Sequence, residues 1–433
     1  MWHRFNISYQ NCWDSILDWL KSRSQIDESI EAKVKSIIDS VNKYGDDSLV
    51  SYTQQFDSPQ FNLRQIKVSQ EEIKAALSQV SQSDQEIIEE AASNIRSFHE
   101  KQKENSWISS GKEGLITGQM INPVDSAGLY IPGGQSGETP LISSILMTVI
   151  PAQVAGVKNI IITSPPREDG SLNPYTLATA NLLGVNQIFA LGSAWSIAAL
   201  ALGTETIPKV DIIAGPGNIF VTTAKKLLIG QVGIDMIAGP SEIAVLADNS
   251  ANPEWLAADL LSQAEHDTLA SSILISPEPS LIKEVEISLE SQLKELPRQA
   301  IAAESLKKWG ACIQVPDIST GIELTNYIAP EHFELCLNDP WPWLGQITSA
   351  GAIFLGQYCP EPIGDYFAGP NHVLPTAGTA RFSSALSVQT FYKKSSLLTA
   401  SKAYIEKHGS KVARLSRLEG LEAHARSTEQ RIK

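Results

Sequence analysis

Two series of short apolar runs constrain the fold of this chain more than any other feature. Each run is bounded by Gly or Pro, and stretches with helical periodicity separate successive runs. Such runs are typical of parallel strands in a sheet that helices cover on both faces. The first series comprises residues 128–131, 159–163, 187–191 and 210–214, and the second comprises residues 242–247, 271–276, 312–315 and 351–355. The pattern predicts an α/β protein.

The chain length and the two series together predict the domain organisation. At 433 residues the chain is too long for one ordinary hydrophobic core. We predict two Rossmann-like parallel-sheet domains with a helical N-terminal arm and a helical C-terminal tail. The predicted units are an arm at 1–24, a main α/β domain at 25–129 plus 243–386, a second Rossmann-like domain at 130–242 and a tail at 387–433. Because the apolar stripes of the tail have no obvious partner within it, we expect the tail to dock on another surface.

Composition and charge argue against several classes of partner. The chain has 34 Lys and Arg against 48 Asp and Glu, a net charge of −14, and no basic cluster for phosphate contacts. We therefore expect no nucleic-acid partner. The four cysteines are far apart and form no Cys-x-x-Cys, which suits a reducing compartment. Since residues 1–20 lack the apolar core of a signal peptide and no later run is long enough to cross a bilayer, we predict a cytoplasmic protein without membrane association.

One predicted helix carries two potential metal ligands. Asn252 is a good N-cap and Pro253 suits the first helical position, so a helix begins here. Gln263 and His266 lie three residues apart and therefore share one face near the C-terminal end of the helix. Two ligands are too few for a closed zinc site, so two more must come from elsewhere in the chain or from another chain. The alternative is that both side chains cap neighbouring carbonyl groups.

An adjacent carboxylate and imidazole indicate proton-transfer chemistry. Glu331 and His332 follow Pro330 at what we predict to be a loop or a helix start. Imidazole takes a proton from an alcohol near neutral pH, and a carboxylate activates water. The alternative is an exposed polar pair without a catalytic role.

Further carboxylates and imidazoles occur towards the C-terminus. Asp365 and His372 lie in a glycine-punctuated loop after the run at 351–355, and the tail contains Glu419 and His424. Four side chains would together make an oxygen and nitrogen site compatible with zinc: Gln263, His266, Asp365 and His424.

Glycine-rich turns follow several predicted strands. They lie at residues 132–134, 215–218 and 239–241. Such turns at the carboxyl ends of parallel strands allow a ligand to approach the backbone closely. None fits the Gly-x-Gly-x-x-Gly dinucleotide fingerprint, so tight turns without a ligand are an equal alternative.

These strings, in this order and over nearly the whole chain, resemble the histidinol dehydrogenase family. The strings are GLYIPGG at 128–134, GTETIPKVD at 203–211, GPGN at 215–218, IDMIAGPSE at 234–242, QAEH at 263–266, APEH at 329–332 and GPNHVLPT at 369–376. Enzymes of this family depend on zinc and NAD. The resemblance implies oxidation of L-histidinol to L-histidine through L-histidinaldehyde, with two NAD and one water consumed.

The resemblance also assigns roles to individual residues. It implies four zinc ligands, namely Gln263, His266, Asp365 and His424, with His424 supplied by the other subunit of an interlocked homodimer whose tails are exchanged. Glu331 and His332 would be the catalytic acid/base pair. The substrate would contact Ser241, Gln263, His266, His332, Asp365, His372, Glu419 and His424. Tyr130 and Asn218 match positions that contact NAD.

The departures from the family pattern cluster on the cofactor side. Where the family has Gly-Gly-Ala-Gln this chain has residues 192–195 ending in Trp195, and the replaced Gln is an NAD contact. An indole cannot reproduce the paired hydrogen bonds of an amide. Its ring could stack on a cofactor, and the alternative is that it packs a helix face. The loop at 135–140 is also longer than usual. Two alternatives therefore stay open: a related zinc- and NAD-dependent dehydrogenase of another small alcohol, and a zinc-binding paralogue with impaired NAD binding.

Overall fold

The structure, a computed structural model, describes residues 2–7, 13–24, 28–134 and 137–432. The strands are β1 His3–Asn6, β2 Trp107–Ser110, β3 Ile116–Pro123, β4 Ser126–Tyr130, β5 Asn159–Ser164, β6 Gln187–Ala190, β7 Ile212–Ala214, β8 Gly233–Ile234, β9 Glu242–Ala247, β10 Ser271–Ser276, β11 Ala311–Gln314, β12 His332–Cys336, β13 Ala352–Leu355 and β14 Tyr392–Thr399.

The helices alternate with these strands through most of the chain. They are α1 Trp13–Lys21, α2 Glu28–Phe56, α3 Gln70–Ala76, α4 Gln82–Glu100, α5 Ile142–Ala155, α6 Pro174–Leu182, α7 Ser193–Leu202, α8 Ile219–Leu227, α9 Pro253–Ala264, α10 Pro279–Leu293, α11 Gln299–Trp309, α12 Ile318–Ile328, α13 Glu361–Tyr366, α14 Lys402–Leu418 and α15 Glu422–Glu429. Within the described ranges, no helix has both the length and the apolar character needed to cross a bilayer.

Two parallel sheets form the body of the protein. The five-stranded sheet has the order β6-β5-β4-β7-β8, and the six-stranded sheet has the order β1-β11-β10-β9-β12-β13. Apart from β1, both sheets have the same doubly wound order. The first strand lies at the centre, the next two lie on one side of it and the last two lie on the other. This confirms the predicted α/β fold class with two Rossmann-like sheets. A third, antiparallel sheet joins β14, β3 and β2.

The helices α2, α3 and α4 pack against the five-stranded sheet. They contact α7, α6 and α5 respectively, and their apolar residues share one core with β4 to β7. The predicted grouping placed 25–129 with 243–386, and that division stays a prediction. Helical periodicity does not reveal which surface the apolar faces of these helices cover, and here they cover α5 to α8. Strand β4 also begins before the predicted boundary at residue 130.

The N-terminal arm contains a strand as well as the predicted helix. Strand β1 pairs in parallel with β11 at the edge of the six-stranded sheet, and α1 packs on α12. The sequence of β1 is polar and mostly exposed, so it lacks the apolar pattern from which a strand is predicted. A short 3-10 turn, Ser22–Ser24, ends the described part of the arm.

The C-terminal tail also begins with a strand that the sequence did not predict. Strand β14 pairs along its whole length with β3, and α14 and α15 then pack on each other. Three apolar side chains of this tail are largely exposed: Leu398, Leu415 and Leu418. Exposed leucines on a helix pair of this kind are typical of a surface that another body covers.

Candidate active site

The predicted acid/base pair lies at the amino end of a central strand. His332 is the first residue of β12, Glu331 precedes it, and both are buried. The predicted loop therefore holds for Glu331, which lies in a bend, whereas His332 begins a strand that was not predicted. Residues of a strand alternate between its faces, so His332 and Glu334 point to the α9 side of the sheet while Phe333 points to the other. This mixed polar and apolar sequence concealed β12 among the apolar strands.

Strand β9, the neighbour of β12, holds both members of the pair through one residue. The backbone N–H of Glu242 donates to Oε2 of Glu331 at 2.8 Å. Nδ1 of His332 lies 3.0 Å from the carbonyl oxygen of Glu242 and, because a carbonyl only accepts, Nδ1 carries the hydrogen. In the neutral imidazole, Nε2 of His332 is then the acceptor nitrogen, and it has no hydrogen-bond partner among the described residues.

Two carboxylates of α13 face this free nitrogen. Nε2 of His332 lies 3.6 Å from Asp365 Oδ1 and 3.8 Å from Glu361 Oε1. One ligand atom from each of the three side chains lies within 4.8 Å of the others, so the group could hold a metal ion. Sequence reasoning missed Glu361. Its signal was the spacing of four residues from Asp365, which places both carboxylates on one helix face.

Burial and charge move the pKa values of the acid/base pair. Burial raises the pKa of Glu331 to about 8, although the charge of His332 opposes this shift. Burial by itself would lower the pKa of His332, but Glu331, Glu361 and Asp365 together raise it to about 10. Glu331 and His332 therefore gain and lose protons as a pair.

The other carboxylates of the site respond to the same surroundings. Burial would raise the pKa of Asp365, but the close imidazole of His332 and the charges of His372 and His266 lower it. Burial raises the pKa of Glu361 to about 7 against the charge of His332. Asp365 is therefore the carboxylate that stays ionised and able to bind a cation.

The helix α9 brings the two predicted metal ligands to this site. Asn252 caps it and Pro253 opens it as predicted, but it ends at Ala264, so His266 lies just beyond its last turn. Gln263 is fully buried, and neither polar atom of its amide has a partner among the described residues. Desolvation of the His266 ring lowers its pKa, and the negative charge of Asp365 opposes this shift. A buried amide without a partner, an imidazole of lowered pKa and a carboxylate are side chains whose chemistry fits a metal site.

His372 and Ser241 border the same space. Nδ1 of His372 lies 3.9 Å from Asp365 Oδ2, and burial lowers the pKa of His372 while Asp365 opposes the shift. A hydrogen bond also joins His372 to the backbone of Ser143, near the start of α5, so this side chain connects the two sheets. Ser241 immediately precedes β9 and is half-buried.

The three predicted cofactor residues lie at the carboxyl ends of the other sheet. Tyr130 ends β4, and its hydroxyl accepts a hydrogen bond from the backbone N–H of Ser193 at 3.3 Å. Asn218 caps α8, its side-chain oxygen accepting from Phe220 and Val221. The turn before it needs glycine, because Gly215 has φ +119° and a Cβ there would lie 2.2 Å from the carbonyl oxygen of Tyr130.

Trp195 lies on α7 and belongs to an aromatic stack within the chain. Its ring centroid lies 5.8 Å from that of Tyr52 and 5.7 Å from that of Phe56, with nearly parallel planes. Trp195 is buried, whereas Phe56 is exposed. The sequence left two environments open for this indole, stacking on a cofactor and packing on a helix face. In the structure the indole packs against helix α2.

The tail does not bring its two candidate residues to this site within one chain. Glu419 and His424 are both exposed, and the tail packs on β3 and on the 3-10 turn Lys112–Gly114. The group of side chains that could hold a metal ion within the described residues is His332, Glu361 and Asp365, and the predicted ligand set of Gln263, His266, Asp365 and His424 stays a prediction.

Two doubly wound sheets, one of which carries a buried imidazole among carboxylates that could hold a metal ion, define an α/β protein with a candidate active site. A family model described as histidinol dehydrogenase matches residues 20–432. The chain belongs to the histidinol dehydrogenase family.

Individual relatives agree with this assignment. A histidinol dehydrogenase of Oleidesulfovibrio alaskensis is 56% identical over 420 residues, which cover 97% of each chain. One of Halalkalibacterium halodurans is 53% identical over 399 residues, covering 92% of this chain and 93% of the relative. The crystal structure of the histidinol dehydrogenase of Elizabethkingia anophelis superposes with a TM-score of 0.93 at 38% identity, covering 100% of this chain and 98% of that one.

Proposed function

We propose that this chain oxidises L-histidinol to L-histidine through L-histidinaldehyde, using zinc and two NAD in the cytoplasm. The observation that carries the proposal is the free Nε2 of His332, which lies 3.6 Å from Asp365 Oδ1. The buried amide of Gln263, which has no partner among the described residues, supports it. The family membership and the names of the relatives support the substrate.

The chain's own residues divide the proton transfers between them. Nε2 of His332 accepts the proton of the substrate hydroxyl as hydride leaves for the cofactor. Glu331 then takes a proton from the water that adds to the aldehyde, which prepares the second hydride transfer. Its raised pKa of about 8 suits a base that must also release its proton near neutral pH.

A metal ion fits the ligand set that borders this pair. Gln263, His266 and Asp365 would hold zinc, which would orient the imidazole and amino groups of the substrate, while NAD would accept the hydride. A cation held by Asp365 would also offset part of the negative charge that raises the pKa of His332. The neutral imidazole that a base requires would then be favoured.

We further propose a homodimer in which the tail of each subunit completes the site of the other. Support comes from the exposed positions of Glu419 and His424 and from the exposed leucines of the same tail. In this arrangement His424 of the partner subunit would be the fourth zinc ligand, and Glu419 would reach the substrate.

The second domain would hold the cofactor at the carboxyl ends of its strands. Tyr130 and Asn218 lie there, at the ends of β4 and before α8. The intrachain stack of Trp195 favours the alternative of a zinc-binding paralogue with impaired NAD binding. Calorimetric titration with NAD separates the two: measurable heat of binding supports the dehydrogenase, and its absence supports the paralogue.

A direct assay tests the substrate. We expect NADH formation with L-histidinol at a rate at least about 100-fold above that with simple diols, because only L-histidinol offers both an imidazole and an amino nitrogen to the metal. Equal rates with the diols would favour a dehydrogenase of another small alcohol.

A further inference from the structure

The N-terminal arm reaches the active site through one buried arginine. Arg23 lies in the 3-10 turn after α1, and its side chain is 1% exposed. Its Nη2 forms an ion pair with the carboxylate of Glu242, and its Nη1 donates to the carbonyl oxygens of Leu269 at 3.1 Å and Ser241 at 3.3 Å. A buried arginine with this many fixed partners orders the backbone that it contacts.

Arg23 contacts the peptide unit that holds the catalytic carboxylate. The carbonyl of Ser241 and the N–H of Glu242 belong to one planar peptide group. Arg23 donates to the oxygen of this group, and the N–H at its other end donates to Glu331 Oε2 at 2.8 Å. Fixing the oxygen therefore fixes the direction of the N–H, and the two hydrogen bonds polarise each other.

The next peptide unit along β9 is fixed from the side chain. The carboxylate of Glu242 is held by Arg23 and by the backbone N–H of Ala377 at 3.1 Å. The carbonyl of Glu242 accepts the hydrogen of His332 Nδ1, which leaves Nε2 as the acceptor that faces Asp365. Glu242 thus contacts Glu331 through its backbone N–H and His332 through its carbonyl. Arg23 acts on the pair through the carbonyl of Ser241 and the carboxylate of Glu242.

We propose that Arg23 and Glu242 are positioning residues for Glu331 and His332, so that the N-terminal arm is part of the catalytic framework. This inference rests on the proposed function, since it assigns the arm a role in that same reaction. The connection from Arg23 to Glu331, through the single peptide group between Ser241 and Glu242, is more direct than the connection to His332. Loss of Arg23 is therefore expected to slow the aldehyde step, in which Glu331 activates water, more than the alcohol step.

The test compares two arginines of the same arm. Arg23→Gln removes the buried contacts, whereas the control Arg4→Gln removes an exposed ion pair between β1 and Glu286. We expect Arg23→Gln to lower kcat about 10- to 100-fold with KM changed less than about 3-fold, because misplacement of a reacting group acts on the transition state. L-histidinaldehyde should accumulate in this variant, and Arg4→Gln should behave as the unaltered protein.

A conservative variant covers the case in which Arg23→Gln does not fold. Arg23→Lys keeps the positive charge beside Glu242, but a single ammonium group cannot reproduce the planar set of contacts to three oxygens. We expect about a 10-fold lower kcat for Arg23→Lys with an unchanged melting temperature. An unaltered kcat and no aldehyde accumulation in a folded Arg23 variant would overturn the inference.

A crystal structure of Arg23→Lys separates this inference from the proposed function. We expect the peptide group between Ser241 and Glu242 to rotate and the distance from Glu242 N to Glu331 Oε2 to exceed 2.8 Å. If the unaltered protein does not oxidise L-histidinol but this displacement occurs, the proposed function fails and the positioning role stands. If the unaltered protein is active and the variant keeps the distance and the rate, only the positioning role fails.

Discussion

The two parallel sheets share one strand order but use opposite ends of their strands. In the six-stranded sheet the candidate catalytic groups lie at the amino ends of β9 and β12 and are buried and ionisable. In the five-stranded sheet the candidate cofactor residues lie at the carboxyl ends of the strands, among glycine turns and aromatic rings. The difference teaches that one strand order can place buried ionisable side chains at one end of a sheet and glycine turns with aromatic rings at the other end of a second sheet.

Removal of the metal should have the largest effect, and it should affect the site on the six-stranded sheet but not the site on the five-stranded sheet. We expect exhaustive chelation to lower the rate of NADH formation by at least about 1000-fold, because the substrate loses its orientation beside His332. The heat of NAD binding should not change, since Tyr130 and Asn218 belong to the other sheet. Added zinc should restore the rate. Full activity in metal-free protein would contradict the assignment of Gln263 and His266.

Substitution of the catalytic imidazole should have the next largest effect. We expect His332→Asn to lower kcat about 100- to 1000-fold, since an amide cannot accept the hydroxyl proton. NAD affinity should remain unchanged in the same titration. His408→Asn is the control, because His408 lies on α14 and contacts Glu113 rather than the site. A His332→Asn variant within a few-fold of the unaltered rate would mean that another group is the base.

Glu361 offers a smaller effect that depends on pH. The carboxylates around His332 raise its pKa, and the base must be neutral, so activity rises as the pH passes that pKa. Glu361→Gln removes one of these negative charges and lowers the pKa of His332. The rising limb of the kcat profile should therefore move to lower pH, with about a 10-fold lower maximum. Glu278→Gln, at a comparable helix start before α10, should leave the profile unchanged.

Trp195 should have the smallest effect, confined to the cofactor side. We expect Trp195→Gln to tighten NAD binding about 5-fold, since an amide can form the paired hydrogen bonds that an indole lacks. The melting temperature should fall, because a buried ring leaves its stack with Tyr52 and Phe56. Tyr52→Leu disturbs the stack without supplying the amide and should not tighten binding. Weaker NAD binding in Trp195→Gln would indicate that the indole itself contacts the cofactor.

The same contrast explains how far the sequence predicts the structure. Each of the eight predicted strands overlaps an observed one, because a strand covered on both faces is an apolar run between Gly or Pro residues. Strand β12 was missed because the face that builds the site carries His332 and Glu334. Strand β1 was missed because it is polar and lies at a sheet edge. The periodicity that predicts such strands fails where polar residues interrupt it.

The candidate site was predictable in part for a similar reason. Gln263, His266, Glu331 and His332 stand in specific strings and Asp365 in a glycine-punctuated stretch, and contacts or charges connect His266, Glu331, His332 and Asp365 in the structure. Arg23 and Glu361 stand in no such string, and only the packing of the arm and of α13 reveals them. His424 matches the family pattern, yet its position cannot be tested within one chain because its predicted target is the partner subunit.

The amount of NADH formed per L-histidinol consumed tests the central claim most directly. The claim is that Glu331 and His332 carry one bound substrate through both oxidations beside a metal ion. We predict two NADH and one L-histidine for each L-histidinol consumed, by protein that contains about one zinc per chain. One NADH with released aldehyde, or no NADH from zinc-loaded protein, would contradict it.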